Sequence, residues 1–157
     1  MESVNINKED LNSFEDELQV VAFNLGEEEY AVNILYVLEI NRLLNITRVP
    51  RSNRIVEGVM NLRGNIIPII NLYKKFDIES KGNEEEKRII VFNYDGVKIG
   101  IIVDGVSEVL RLNKENIEET TKVYNSMNAE TIEGVAHIGD RLIILLDIEK
   151  VIEIDEK

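Results

Sequence analysis

Short apolar runs alternate with turn residues along most of the chain, and this pattern predicts β-strands. The clearest pair is Arg88–Tyr94 and Val97–Val103. These runs flank Asp95-Gly96, a strong hairpin signal because glycine accepts positive φ without steric cost. The other predicted hairpins are Gln19–Leu25 with Tyr30–Asn33, Gly58–Leu62 with Asn65–Ile70, and Val135–Ile138 with Arg141–Leu146.

Helical signals are weak by comparison. Asn71 and Asp147 are good N-cap residues, and they predict short helices over Leu72–Phe76 and Ile148–Ile152. No longer segment of the chain has apolar residues at a sustained helical spacing. The predicted fold class is therefore all-β with short helices, with about five strands in each half of the chain, an arrangement typical of small barrels.

The chain contains two copies of one pattern. Val20-Val21-Ala22-Phe23-Asn24 in the first copy matches Ile89-Ile90-Val91-Phe92-Asn93 in the second. The further matches are Tyr30-Ala31-Val32 with Ile99-Gly100-Ile101, Glu39 with Glu108, Glu57-Gly58-Val59 with Glu133-Gly134-Val135, and Ile66-Ile67 with Leu142-Ile143. Two copies are too few for a solenoid, so the repeat predicts two similar halves.

These matches predict the organisation of the chain. An acidic N-terminal segment covers residues 1–17, and a single domain covers residues 18–157. The first half spans about residues 18–79 and the second about residues 87–153, joined by a polar linker. Exchange of strands between the halves is left open.

Composition excludes several classes of protein. The absence of cysteine excludes disulfides, thiolate metal sites and thiol nucleophiles. A net charge of −12 disfavours binding to nucleic acid and to anionic lipid. No apolar run approaches the roughly 18 residues of a membrane span, and the start of the chain does not resemble a signal peptide. We therefore expect a cytoplasmic protein that does not insert into membranes.

No motif for catalysis or cofactor binding is assembled in the sequence. His137 is the single histidine and has no neighbouring metal-ligand cluster, so a structural or surface role is favoured. The glutamate runs at residues 27–29 and 84–86 fit solvated loop charge. We predict no catalytic residue, no metal site and no cofactor, and hence no enzyme.

Two charged residues have alternative interpretations. Glu39 closes the apolar run Val37-Leu38-Glu39-Ile40, where it either points outward from a strand or belongs to a binding site. Arg63 lies between two apolar strands, where it is either a hairpin-tip residue without a role or a binding anchor. Arginine is enriched at interface hot spots because its planar guanidinium makes paired contacts with carboxylates.

The segment Ile55–Leu72, which contains Asn61-Leu62-Arg63-Gly64, resembles the CheW-type coupling proteins of bacterial chemotaxis. Thr47–Ser52, Val37–Ile40 and Phe23–Val32 resemble the same family, and the likeness covers about Gln19–Ile152. It implies two SH3-like five-stranded barrels around a shared apolar core. It also implies an adaptor that links the cytoplasmic tips of transmembrane chemoreceptors to the regulatory domain of the histidine kinase CheA, at receptor arrays on the inner face of the membrane.

The resemblance also implies roles for individual residues. Ile34, Val37, Glu39 and Arg63 occupy receptor-binding positions, and Gly58 and Gly64 occupy structural positions of the motif. The residues that contact the kinase are left unassigned. The second copy keeps Glu108 but has Ile138-Gly139-Asp140 in place of Leu-Arg-Gly, so the arginine role is assigned to the first copy alone.

Three alternatives remain at this point. The chain could be a detached regulatory domain of the CheA type, or a relative of proteins that fuse this module to a receiver domain. It could also be a small enzyme or nucleic-acid-binding barrel of an unrelated class. The length leaves no room for the phosphotransfer and ATP-binding parts of the kinase, and no receiver domain is present. The charge argues against nucleic-acid binding, and no assembled motif supports an enzyme.

Overall fold

The computed structural model describes residues 17–43, 45–49, 54–118 and 131–153, so nearly all of the acidic N-terminal segment lies outside the described residues. The strands are β1 (Glu17–Leu25), β2 (Glu28–Asn33), β3 (Val37–Arg42), β4 (Val56–Leu62), β5 (Asn65–Ile70), β6 (Arg88–Tyr94), β7 (Val97–Val103), β8 (Gly105–Asn113), β9 (Ile117–Glu118), β10 (Ile132–Ile138) and β11 (Arg141–Leu146). Two α-helices follow β5 and β11, α1 (Leu72–Phe76) and α2 (Ile148–Ile152). Short 3₁₀ helices cover Ile34–Tyr36, Glu84–Glu86 and Lys114–Asn116.

The strands form two sheets, and each sheet contains strands from both sequence copies. Sheet A has the order β8-β1-β2-β11-β10-β9, and sheet B has the order β3-β6-β7-β5-β4. Parallel pairing of β2 with β11 and of β5 with β7 joins strands of the first copy to strands of the second. The all-β prediction is confirmed, and sheet A carries β9 as a sixth strand of two residues.

Two hairpins use the same turn geometry. The φ values are 52° and 86° at Asp95-Gly96, and 53° and 87° at Arg63-Gly64. Two successive residues with positive φ form the turn type that matches the twist of paired strands. In each turn an asparagine Oδ1 accepts the glycine N–H, at 2.9 Å from Asn61 and at 3.1 Å from Asn93. The Asn-x-x-Gly spacing therefore fixes both turns.

Three groups of buried apolar side chains explain why the sheets stay together. Core A contains only sheet A residues: Val20, Ala31, Leu112, Ala136, Ile143 and Leu145. Core B contains only sheet B residues: Met60, Leu62, Ile67, Ile69, Ile89, Val91 and Ile102. The shared core takes side chains from both sheets and both α-helices, including Phe23, Leu72, Phe92, Ile101, Leu146 and Val151. Each sheet thus has a core of its own and also packs on the other.

A buried carboxylate ties the linker between the two copies to both sheets. Asp104 is 6% exposed. Its Oδ1 accepts from the hydroxyls of Tyr73 and Ser80, both at 2.7 Å. Its Oδ2 accepts from the backbone N–H of Gly26 at 2.8 Å and of Lys81 at 3.1 Å. Burial raises the pKa of Asp104, but these four hydrogen bonds outweigh burial, and the pKa falls below its usual value.

Replacing Asp104 by asparagine is expected to lower the free energy of unfolding by about 1–3 kcal/mol at pH 7, because an amide nitrogen would face hydrogen-bond donors. The folded pKa of Asp104 lies below the unfolded value. Its contribution is therefore fully present above the unfolded pKa of about 4, and it is lost as the pH falls through the folded pKa. Urea denaturation at pH 7 and at pH 3 measures this.

The turn variant Asp95→Asn provides the control, since asparagine also suits a turn with positive φ. We expect the difference between the native protein and Asp104→Asn to shrink at pH 3. A difference of the same size at both pH values would contradict the role of the charged carboxylate.

Candidate functional site

An ion pair joins β3 to the turn between β4 and β5. Arg63 Nη1 donates to Glu39 Oε2 at 2.5 Å, and Nη2 donates to Glu39 Oε1 at 3.3 Å. The Arg63 side chain is 74% exposed, whereas that of Glu39 is only 19% exposed. The hydrogen bond from Arg63 lowers the pKa of Glu39, and the same bond raises the pKa of Arg63. The structure thus brings together two residues that the sequence offered as separate candidates.

This ion pair lies at the open end of core B. Glu39 pairs with Val91 across β3 and β6, so its side chain shares the face that carries core B. A cleft of about 400 Å³ opens beside it, and we call it the B cleft. Its lining consists of Leu38, Glu39, Leu62, Arg63, Asn65, Ile67 and Lys98. It therefore combines an apolar wall with two cationic side chains.

The other two candidate receptor-binding residues do not line the B cleft. Ile34 and Val37 are half-buried and pack against the shared core. The register between β3 and β6 shifts between Val37 and Glu39, so Leu38 is an extra residue on β3. Because of this bulge, Val37 and Glu39 face different cores although they are two positions apart. The structure brings Glu39 and Arg63 into contact, whereas Ile34 and Val37 pack against the shared core.

Several exposed apolar residues were missed from the sequence. Leu35 is 81% exposed, because the 3₁₀ helix that starts after Asn33 turns it outward. Ile66 on β5 is 61% exposed. On β3, Leu38 and Ile40 are partly exposed, and Leu38 lines the B cleft whereas Ile40 lines a different cleft. Of these residues, Leu38 is the one that lies beside Glu39 and Arg63 in the B cleft. Strand alternation alone does not reveal them, because the bulge and the 3₁₀ helix interrupt it.

Both motif glycines are needed for backbone geometry. A Cβ atom on Gly58 would lie 2.3 Å from the carbonyl oxygen of Thr47. Thr47 and Val59 exchange two backbone hydrogen bonds of 2.8 Å, so the backbone cannot move away easily. Gly64 has no atom within 4 Å of a Cβ position, and its need for glycine comes from its φ of 87°.

The second copy also contains an arginine bound by carboxylates. Arg141 binds Glu29 through Nη2 at 2.7 Å and Nε at 3.2 Å, and its Nη1 lies 3.0 Å from Glu108 Oε2. This arginine was missed from the sequence because it begins β11, two positions after the residue equivalent to Arg63. Matching it to Glu108 needs the structure, since 33 positions of the sequence separate Glu108 from Arg141.

The single histidine lies on the surface. His137 Nε2 lies 3.0 Å from Glu118 Oε1, and half of its side chain is exposed. Among the described residues, no three His, Cys, Asp or Glu side chains group so that they could hold a metal ion. In the part of the chain that the structure describes, no helix has the length and apolar character of a membrane span.

Comparison with known proteins gives a consistent result. The CheW-like domain family matches residues 19–156. The chain is 38% identical to the chemotaxis protein CheW of Klebsiella aerogenes over 88% of this chain and 83% of that protein. It is 39% identical to CheW of Thermotoga maritima, over 87% of this chain and 89% of that one. The crystal structure of the scaffolding protein TtCheW from Thermoanaerobacter tengcongensis superposes with a TM-score of 0.81 at 36% identity, covering 89% of this chain and 90% of that chain.

Proposed function

The chain belongs to the CheW-like family, and on that basis we propose that it is the adaptor that couples chemoreceptors to the histidine kinase CheA. Recognition of the family from sequence is confirmed, and so is the fold of two SH3-like β units. The family is one of scaffolds. The prediction that this chain has no catalytic activity of its own stays a prediction.

The exposed Arg63–Glu39 pair is the observation that supports a receptor-binding face. Glu39 holds the arginine with two hydrogen bonds, so the guanidinium is oriented before a partner arrives. Leu38 lines the B cleft beside it, and Leu35, on the 3₁₀ helix that precedes β3, is also exposed. We place the amphipathic helix of a receptor tip here, with its apolar stripe over these residues and over Ile34 and Val37. Arg63 and Glu39 then provide specificity more than affinity.

The kinase side of the proposal concerns the regulatory domain of CheA. The family resemblance implies that this domain has the same fold and docks barrel to barrel. We do not assign contact residues to it. Binding of receptor tips at one surface and of the kinase at another would place the chain at the cytoplasmic end of the receptors.

Signal transfer in this proposal is mechanical. The adaptor makes or breaks no covalent bond, and it transmits a signal only if receptor and kinase bind it differently in two states. The half-buried position of Ile34 and Val37 offers a route, because both residues contact the shared core between the sheets. A receptor that displaces them would act on the packing of the two sheets against each other.

A binding titration of the purified chain against a soluble receptor-tip fragment and the CheA regulatory domain tests the function. We expect saturable binding to each, and formation of a ternary complex if the two partners use separate surfaces, as an adaptor requires. Failure of a folded chain to bind either partner would overturn the proposal, and competition between the two partners would refute separate surfaces.

A further inference from the structure

Equivalent positions of the two copies carry opposite charges at the ends of cores A and B. Lys98 precedes Ile99-Gly100-Ile101 on β7 in the same way that Glu29 precedes Tyr30-Ala31-Val32 on β2. Alternate residues of a strand share a face, so Glu29 lies on the face of core A and Lys98 on the face of core B. The glutamate of the edge strand is kept in both copies, as Glu39 and Glu108.

The end of core A is fully paired. Arg141 lies between Glu29 and Glu108, and each of its three guanidinium nitrogens contacts a carboxylate oxygen. This group of one cation and two anions has a formal charge of −1. Its cation is therefore held between two carboxylates, and the group has no excess positive charge to offer an anionic partner.

The charged group at the end of core B has an excess of positive charge instead. Arg63 and Lys98 face a single carboxylate, Glu39, so the group has a formal charge of +1. Among the described residues, the side chain of Lys98 has no ion-pair or hydrogen-bond partner, although the residue is half-buried. Arg63 uses two of its five N–H groups for Glu39, which leaves three for another acceptor. A cation that loses part of its hydration without a counter-ion favours binding of an anion.

We propose that the B cleft binds a carboxylate side chain of the receptor helix, with Lys98 as its counter-ion and Arg63 as a second donor. The cleft wall formed by Leu62 and Ile67 suits the methylene stem of a glutamate. The partner is a receptor helix because the cleft adjoins the receptor-binding face. This inference rests on the proposed function and deepens it by making Lys98 a residue that determines specificity.

Titration of Lys98→Gln and Lys98→Glu against the receptor-tip fragment tests the inference. We expect about fivefold weaker binding for Lys98→Gln, and weakening of about tenfold or more for Lys98→Glu, which adds repulsion. Binding by Lys98→Gln should also depend less on salt concentration than binding by the native chain. Circular dichroism and thermal denaturation check the fold, and Lys98→Gln remains informative if the new glutamate beside Glu39 prevents folding.

The matched control is Lys75→Glu, the same charge change at a position of α1 that is half-buried like Lys98. We expect its affinity to stay within about twofold of the native value. Glutamate-to-glutamine variants of the receptor fragment complete the test, because one of them should lose its effect when combined with Lys98→Gln.

The outcomes separate this inference from the proposed function. Native affinity in both Lys98 variants, together with loss of binding in Arg63→Asp, would overturn the carboxylate site and leave the receptor function standing. If Lys98→Glu and Lys75→Glu weakened receptor binding equally, the effect would come from the net charge of the chain. This outcome would also overturn the site. Absence of binding by the native chain would overturn the proposed function as well.

Discussion

Replacing Arg63 by aspartate is expected to weaken binding of the receptor-tip fragment at least about tenfold, or about 1.4 kcal/mol, while leaving the fold intact. The change removes the exposed donors and sets a second carboxylate beside Glu39. The fold should tolerate it, because Arg63 has a φ of 53° and aspartate accepts this left-handed conformation better than most residues. Isothermal titration measures the affinity, and circular dichroism checks the strands.

Two further variants separate binding from structure. Arg111→Asp makes the same change of charge at an exposed position of β8 and should bind the fragment normally. The double variant Glu39→Arg with Arg63→Glu restores an ion pair with reversed polarity. If the pair only stabilised the protein, this variant would bind like the native chain. We expect it to bind weakly, and normal binding by Arg63→Asp would remove Arg63 from the site.

Replacing Phe92 by alanine is expected to lower the free energy of unfolding by about 3–5 kcal/mol, the largest effect on stability that we predict. Phe92 is fully buried in the shared core, where side chains of both sheets meet. Such a loss is a large share of the 5–15 kcal/mol typical of a domain. Because the cavity lies between the sheets, both should lose stability together in one transition. Urea denaturation followed by circular dichroism measures this.

Val97→Ala is the control, since Val97 is half exposed and should change stability by no more than about 0.5 kcal/mol. Native-state hydrogen exchange resolves the two sheets separately. If Phe92→Ala increased exchange in sheet B and left sheet A unchanged, the sheets would be independent and the shared core would not couple them.

Sequence reasoning succeeded where local chemistry decides the structure. The bounds of Asn65–Ile70, Arg88–Tyr94, Val97–Val103 and Arg141–Leu146 are confirmed to the residue. Turn chemistry explains this accuracy, because positive φ at the hairpin turns fixes where each strand ends. The Asn71 cap of α1 is also confirmed, since its side chain accepts the N–H of Lys74.

Strands with mixed surroundings were harder to predict. β8 was missed because most of its side chains are exposed or half-buried, so its apolar residues do not alternate. It is an edge strand, and its register with β1 shifts between Ala22 and Phe23. Pairing with β1 keeps it extended, and that partner is more than 80 positions away in the sequence. No local window contains that information.

The candidate site also has one part that could be predicted from the sequence and another that could not. Glu39 and Arg63 could be selected by residue type, because a charge at an apolar strand junction is unusual. Their contact spans 24 positions and depends on how β3 and β4 lie at the two margins of sheet B. Lys98 was the more instructive omission. In an alignment of the two copies, Lys98 holds the position that Glu29 holds in the first copy. A comparison of charge between the copies would therefore have identified it.

The exchange of strands between the copies has a consequence for how the chain folds during synthesis. Sheet B is complete once β7 has left the ribosome, whereas β1 and β2 await partners from β8 and β11. Closing such distant pairings is slow, since loop entropy is lost before the contacts form. The exposed edges of β1 and β2 therefore remain open to pairing with other chains until the last strand emerges, which makes the nascent protein a natural client for chaperones.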